Sequence, residues 1–189
     1  MSILKQAPLL KLTEAAQLAK RLYGLEGAIQ SLPSERDQNF LVAADGTRHV
    51  LKIANATERR ELLEAQNLAM AHVKDLGFLP HVVNSVLGNT IETISVNGKN
   101  HFVRLVTYLD GIPLGNVKRH SSGLMFDLGF KLGKLTSALQ GFDHSALHRD
   151  FHWDFANGLA IVRKNLKSVR DKNLQKMVTT LIEQFEKFS

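Results

Sequence analysis

The chain has 189 residues, and 24 Lys and Arg against 18 Asp and Glu give it a formal charge of +6 at neutral pH. Apolar residues make up 44% and charged residues 22%, a globular composition that excludes a disordered tail, a collagen-like fibre and a low-complexity linker. No cysteine is present, which excludes a disulfide framework, thiolate zinc sites and a cysteine nucleophile.

Ala15, Ala16, Leu18, Ala19 and Leu22 recur at helical spacing, so residues 13–23 predict an amphipathic helix with Thr13 as cap and Gly24 as stop. Strands are expected over 28–32, 39–43 and 48–53, the last two joined by Asp45-Gly46, a pair that tolerates the positive φ of a tight hairpin turn. Residues 57–76 predict a second helix, ended by Gly77, with Glu58, Glu61 and Glu64 placed toward its positive end. Residues 82–87 read as a strand. Residues 90–96 and 101–109 read as a hairpin across Asn97-Gly98. After Asp110-Gly111-Ile112-Pro113 only helices are expected, over 123–140, 154–162 and 172–188. Strands and helices are thus segregated, which predicts an α+β fold, with domains 1–109 and 110–189.

Residues 1–12 hold no signal-peptide core, and no run reaches the roughly 20 apolar residues that cross a bilayer. No membrane partner is expected, and a cytoplasmic location fits. The positive charges are scattered except for Arg163, Lys164, Lys167, Arg170, Lys172 and Lys176, which read as a solvated helix face. Helix-turn-helix, zinc-finger and RRM signatures are missing, so no nucleic-acid partner is expected either. Attraction of an anionic small molecule such as a nucleotide explains the charge equally well.

Lys52, in the apolar run VLKI, is followed by an acid-bearing helix. Phosphoryl transfer needs a cation at the nucleotide phosphates and an anion that holds the cation in place. Glu64 and Glu61 lie three residues apart on one helix face, and either could turn inward to do so. The preceding stretch LPSERDQNF, with Ser34 after Pro33, can lay backbone N–H groups and a hydroxyl over phosphate oxygens. The run VRLVTYLDG is an apolar strand whose extended end can pair with a purine edge. His148-Arg149-Asp150 imitates a kinase catalytic loop, but the position five after the Asp is Phe155, and Asn157 comes two later. A structural role is expected there. His144, His148 and His152 recur every four residues without a supporting carboxylate pattern, so no metal site is expected from them.

In this order and spacing LPSERDQNF, VLKI, LLEAQN, VRLVTYLDG and the stretch ending in LHR resemble the aminoglycoside phosphotransferase and choline kinase superfamily, closest to its hydroxylysine kinase branch, over residues 23–162. The resemblance implies a protein-kinase-like fold, with an N-terminal lobe of antiparallel sheet plus helix and a helical C-terminal lobe. It implies transfer of the γ-phosphate of ATP or GTP, with Mg2+, to a hydroxyl of an amino acid, amino alcohol or aminoglycoside-like acceptor. In the hydroxylysine kinases the acceptor is 5-hydroxylysine and the donor GTP. Lys52 would be the phosphate lysine, with Glu64 its partner and Glu61 the fallback. Ser34 would sit in the phosphate loop, completed by Asp37, Gln38 and Asn39, and Thr107, Tyr108 and Leu109 would form the hinge facing the base.

The family's H-G-D-x-x-x-x-N loop and its magnesium-binding Asp lie beyond the LHR stretch. This chain is therefore expected to carry a truncated helical lobe, no catalytic residue or Mg2+ ligand of its own, and no activity alone. The alternative is a non-catalytic kinase-like module that self-associates through apolar helix surface around Leu124, Phe126, Leu132 and Leu135.

Overall fold

Burial along β2 (Gln38–Ala44) and β3 (Thr47–Ile53) follows the pleat, while β6 (Lys99–Thr107) is buried on both faces from Val103 to Val106. In β2 the buried residues are Phe40, Val42 and Ala44. In β3 they include Leu51 and Ile53, and in β6 Val103 and Leu105. Cross-strand pairing puts these side chains on one face. The computed structural model describes residues 7–149 and 154–187. Its sheet is antiparallel in the order β1-β2-β3-β6-β4, with β1 at Ala28–Leu32 and β4 at Val82–Val83. β5 (Glu92–Val96) pairs with the first half of β6.

α1 (Leu12–Tyr23) lays Ala15, Leu18, Ala19 and Tyr23 onto the apolar face. Full burial of one Leu, Ile, Val or Phe contributes about 1.5–3 kcal/mol, so this layer is the main apolar store of the sheet. The helix starts where the Lys11 N–H donates to Glu14 Oε2 at 2.7 Å, and Gly24 ends it at φ 68°. Both hairpin turns match expectation: Asp45 and Gly46 sit at φ 50° and 71°, Asn97 and Gly98 at 51° and 75°.

The helix expected over 57–76 is divided into α2 (Arg60–His72) and a 3-10 turn at Lys74–Leu76. A second apolar cluster of Ala54, Leu63 and Ile91, with Phe102 packed on it, lies under α2. The strand expected over 82–87 ends at Val83. Ser85 takes over the local backbone: its hydroxyl accepts the N–H groups of Leu87 and Asn89, and its own N–H donates to Asn89 O. A turn replaces the ladder.

The chain divides into two compact units, Met1–Leu147 and His148–Ser189, whereas the change from strands to helices comes at Thr107. The first unit includes α3 (Ser122–Ala138), which has no buried residue. The second holds α4 (Gly158–Asn165) and α5 (Lys172–Glu186), the latter capped by Asp171, which accepts the N–H groups of Asn173 and Leu174. Phe155, Leu159, Val162, Val178, Leu181 and Phe185 line an apolar groove of about 330 Å3 in this unit. No helix among the described residues is long and apolar enough to cross a membrane.

Gly27 lies against β2 so closely that an added Cβ would fall 2.0 Å from the Ala43 carbonyl oxygen. Gly27→Ala is expected to lower stability in urea unfolding by about 1–3 kcal/mol through the backbone shift it forces. Gly129→Ala, inside α3 with nothing within 4 Å, is expected to raise it by about 0.5–1 kcal/mol.

Candidate functional site

The face of the sheet opposite α1 carries a row of polar and charged side chains. Asn39, Lys52 and Arg104 are direct partners on β2, β3 and β6, so their side chains leave the sheet together. Two residues along, Leu41, Val50 and Val106 form a parallel apolar row on the same face. The Lys52 ammonium is half-buried and donates to Asn39 Oδ1 at 3.4 Å. Burial and, after it, the Arg104 guanidinium pull its pKa below that of an ordinary lysine, while Asp37 pulls the other way.

Arg104 is 5% exposed. Its guanidinium donates to Asn67 Oδ1 at 2.8 Å, Gln66 Oε1 at 2.8 Å and the Leu63 carbonyl at 3.3 Å, all on α2. Burial is the main cause lowering its own pKa, and Asp37, Glu58 and Tyr23 act to raise it; a guanidinium holds its proton so strongly that it stays charged.

The loop at 33–37 is anchored by a residue that the motif reading did not single out. Asn55 is fully buried. Its N–H donates to Asp37 Oδ1 at 3.0 Å and its amide to the Arg36 carbonyl at 3.1 Å. Its own oxygen accepts from the Thr57 N–H at 3.0 Å and the Thr57 hydroxyl at 2.8 Å. The β1–β2 loop is thereby tied to the β3–α2 connection, with Ser34 left exposed in the loop.

Of the expected site residues, Lys52 and Asn39 come together and Asp37 acts on Lys52 electrostatically. Gln38 does not join them. The pleat turns it to the α1 face, where it clamps the Leu10 backbone through two bonds of 2.8 Å. Neither glutamate pairs with Lys52: Glu64 pairs with Arg60 at 3.0 Å and Glu61 with Arg59 at 3.6 Å, both on exposed surface. The helix begins at Arg60, and its i,i+4 geometry gives Glu64 a nearer cation on its own helix. Glu64 also borders a cavity of about 530 Å3 with His81, Val82 and His144.

At the hinge, the Thr107 N–H donates to His81 O at 2.9 Å and the Tyr108 N–H to Arg48 O at 3.0 Å. Arg48 covers the Tyr108 ring at 5.2 Å and pairs with Asp110. Leu109 is 49% exposed. His144 sits at a short 3-10 turn, its Nδ1 accepting the Ala146 N–H, while Asp150 and His152 lie outside the described residues. Among the described residues no three His, Asp or Glu side chains converge on a metal position.

A depressed lysine pKa means that the folded state resists the charged form. Lys52 therefore destabilises the fold while protonated, and that cost is relieved as pH rises through its folded pKa toward the unfolded value. Lys52→Met is expected to be more stable than the parent at pH 8 in urea unfolding, with the gap narrowing toward pH 10.5. A gap that stays constant across that range would contradict the burial of the charge.

The model of the phosphotransferase enzyme family matches residues 28–188. Hydroxylysine kinase of Mus musculus is 30% identical across 95% of this chain and 52% of its own length. That of Xenopus laevis is 32% identical across 96% and 53%. The chain thus spans about half the length of the curated relatives it matches. Among solved structures, an amicoumacin kinase in complex with AMP-PNP and Ca2+ superposes with a TM-score of 0.67 over 95% of this chain and 54% of its own, at 14% identity. A microcompartment-associated aminopropanol kinase gives 0.56 over 78% and 46%, at 18% identity. The fold is protein-kinase-like, and the chain belongs to the phosphotransferase enzyme family.

Proposed function

We propose that Lys52, set between Asn39 and Arg104 on one row, faces the phosphates of ATP or GTP, and that the chain supplies the nucleotide side of a small-molecule kinase. One observation carries this reading: two cations, Lys52 and Arg104, stand side by side in a desolvated position with Asp37 as the carboxylate acting on both. A polyphosphate placed there would be drawn to these cations in a medium where charge interactions are strong. In this reading Lys52 contacts the phosphates, Asn39 orients it, and Asp37 fixes the loop whose Ser34 hydroxyl and backbone N–H groups reach over them. The row of Leu41, Val50 and Val106 takes the purine ring, with the backbone of Thr107, Tyr108 and Leu109 at its edge.

The names of the relatives, hydroxylysine and aminopropanol kinases, support an acceptor that carries both a hydroxyl and an amino group. Residues 1–109 would act as the nucleotide lobe and 110–189 as part of a helical one. In this reading Mg2+ and the acceptor are held by residues outside the row of Asn39, Lys52 and Arg104, and the chain by itself binds nucleotide without transferring phosphate. A cytoplasmic setting, where the donor nucleotides are, fits the reading.

Calorimetric titration with AMP-PNP and Mg2+ tests it. Binding is expected to weaken at least about tenfold in Lys52→Met, equivalent to about 1.4 kcal/mol, and to persist in Gln38→Ala, whose side chain serves the other face. A parent chain that binds no nucleotide would overturn the reading. ATP or GTP turnover by this chain, lost in Lys52→Met, would overturn its inactivity alone.

A second reading rests on α3. Its 17 residues include no buried one, and Met125, Phe126, Leu128, Phe130 and Leu132 are exposed, while Leu124 and Leu135 are half-buried. A helix apolar on so many sides is ordinarily covered. Self-association through this helix would cover it. Light scattering is then expected to show a dimer that Phe126→Lys with Phe130→Lys converts to monomer. A monomer at every concentration would exclude it.

A further inference from the structure

We infer that Arg104 is a positioning residue that keys α2 to the sheet and couples the helix to Lys52, in the place where a helix glutamate was expected. The inference rests on the proposed nucleotide site and deepens it. Three observations lead to it. Arg104 is the direct cross-strand partner of Lys52, so the two side chains share one face at the closest lateral spacing a sheet offers. Its guanidinium makes its three bonds to one turn of α2, at Leu63, Gln66 and Asn67. It is almost completely buried, so it stands behind the phosphate position and does not reach out to it.

The acceptors on α2 are a carbonyl and two neutral amides. The helix is therefore held without any carboxylate entering the site, and the Lys52 charge is not cancelled from the helix side. Among the described residues, charged and titratable groups approach this pair from three elements. From β2 and its loop come Asn39, which is neutral, and Asp37, which acts on both cations. From α2 and the turn before it, Glu61 and Glu64 are engaged by Arg59 and Arg60, while Glu58 pairs with Arg36 and acts on Arg104. From α1, Tyr23 acts on Arg104. Arg104 is thus the like charge beside Lys52, and it keeps that ammonium poised for an incoming anion. Because the guanidinium is fixed by α2, displacement of the helix would change the environment of the lysine.

The test observes Lys52 directly. The full chain is reductively methylated with 13C, which keeps lysines charged, and the Lys52 signal is identified by its loss in Lys52→Arg. In the parent chain it is expected to titrate below the exposed lysines. In Arg104→Met it should move to higher pH, and amide exchange across residues 63–67 should quicken, because both the like charge and the helix anchor are gone. Asn67→Asp covers the case in which Arg104→Met fails to fold. It keeps the bond to the guanidinium but adds a carboxylate, so Lys52 should again titrate higher while α2 keeps its protection.

A Lys52 titration unchanged in the folded variants would overturn the coupling, as would unchanged exchange of α2 in a folded Arg104→Met. AMP-PNP titration of the same samples separates the two claims. Responsive Lys52 with no nucleotide binding would defeat the proposed function and leave the coupling standing. Nucleotide binding with an unresponsive Lys52 would do the reverse.

Discussion

Strand pleat governs this protein. Leu51 and Ile53 are both fully buried against α1, and the residue between them has to leave the sheet on the opposite side. That residue is Lys52. Slipping the strand by one position would drive an ammonium into the apolar layer and expose Leu51 and Ile53 together, so register is fixed by the hydrophobic core. The same register sets Asn39 and Arg104 on either side of Lys52 and aligns Leu41, Val50 and Val106 one row away. The candidate site is thus a by-product of how the core is packed.

The electrostatics of that face follow from its position. A lysine and an arginine placed side by side away from water repel each other, and only part of the repulsion is offset by Asp37. The fold tolerates this because Arg104 is satisfied by three acceptors on α2 and because Asn55 secures the loop that carries Asp37. Bonds that involve a charged group in a buried setting contribute about 1.5–3 kcal/mol each. By contrast the exposed pairs of Arg60 with Glu64 and Arg59 with Glu61 contribute about 0–1 kcal/mol. The attachment of α2 to the sheet therefore runs through Arg104 and the cluster of Ala54, Leu63 and Ile91, with the helix glutamates facing water.

Elements with strong local signals are legible in the sequence. The two hairpins were visible in Asp45-Gly46 and Asn97-Gly98, because few other pairs accept two positive φ angles. Lys52 was visible as a charge inside an apolar strand. The side of the strand on which each residue falls was less accessible. Counting by two from buried Phe40 puts Gln38 on the α1 face and Asn39 beside Lys52, but a motif read as one block conceals that alternation. Arg104 had the same signal as Lys52, a charge between Val103 and Leu105, and it stayed hidden inside a run read for its apolar character. Asn55 has a local signal only for its turn with Thr57, since its other partners Arg36 and Asp37 come from the loop before the neighbouring strand β2. The identity of the α2 contact was likewise set by tertiary packing, which gives Glu64 a closer cation in Arg60.

Methyl NMR of the chain titrated with AMP-PNP and Mg2+ would show whether nucleotide occupies the Lys52 face. Leu41, Val50 and Val106 alternate along the same strands with Val42, Leu51 and Leu105, so the two sets share a backbone and differ only in side. Methyl shifts confined to the first set, together with a change at Lys52, are the expected result. Shifts as large in the Val42, Leu51 and Leu105 set, or none in either, would contradict the assignment of this face to the nucleotide.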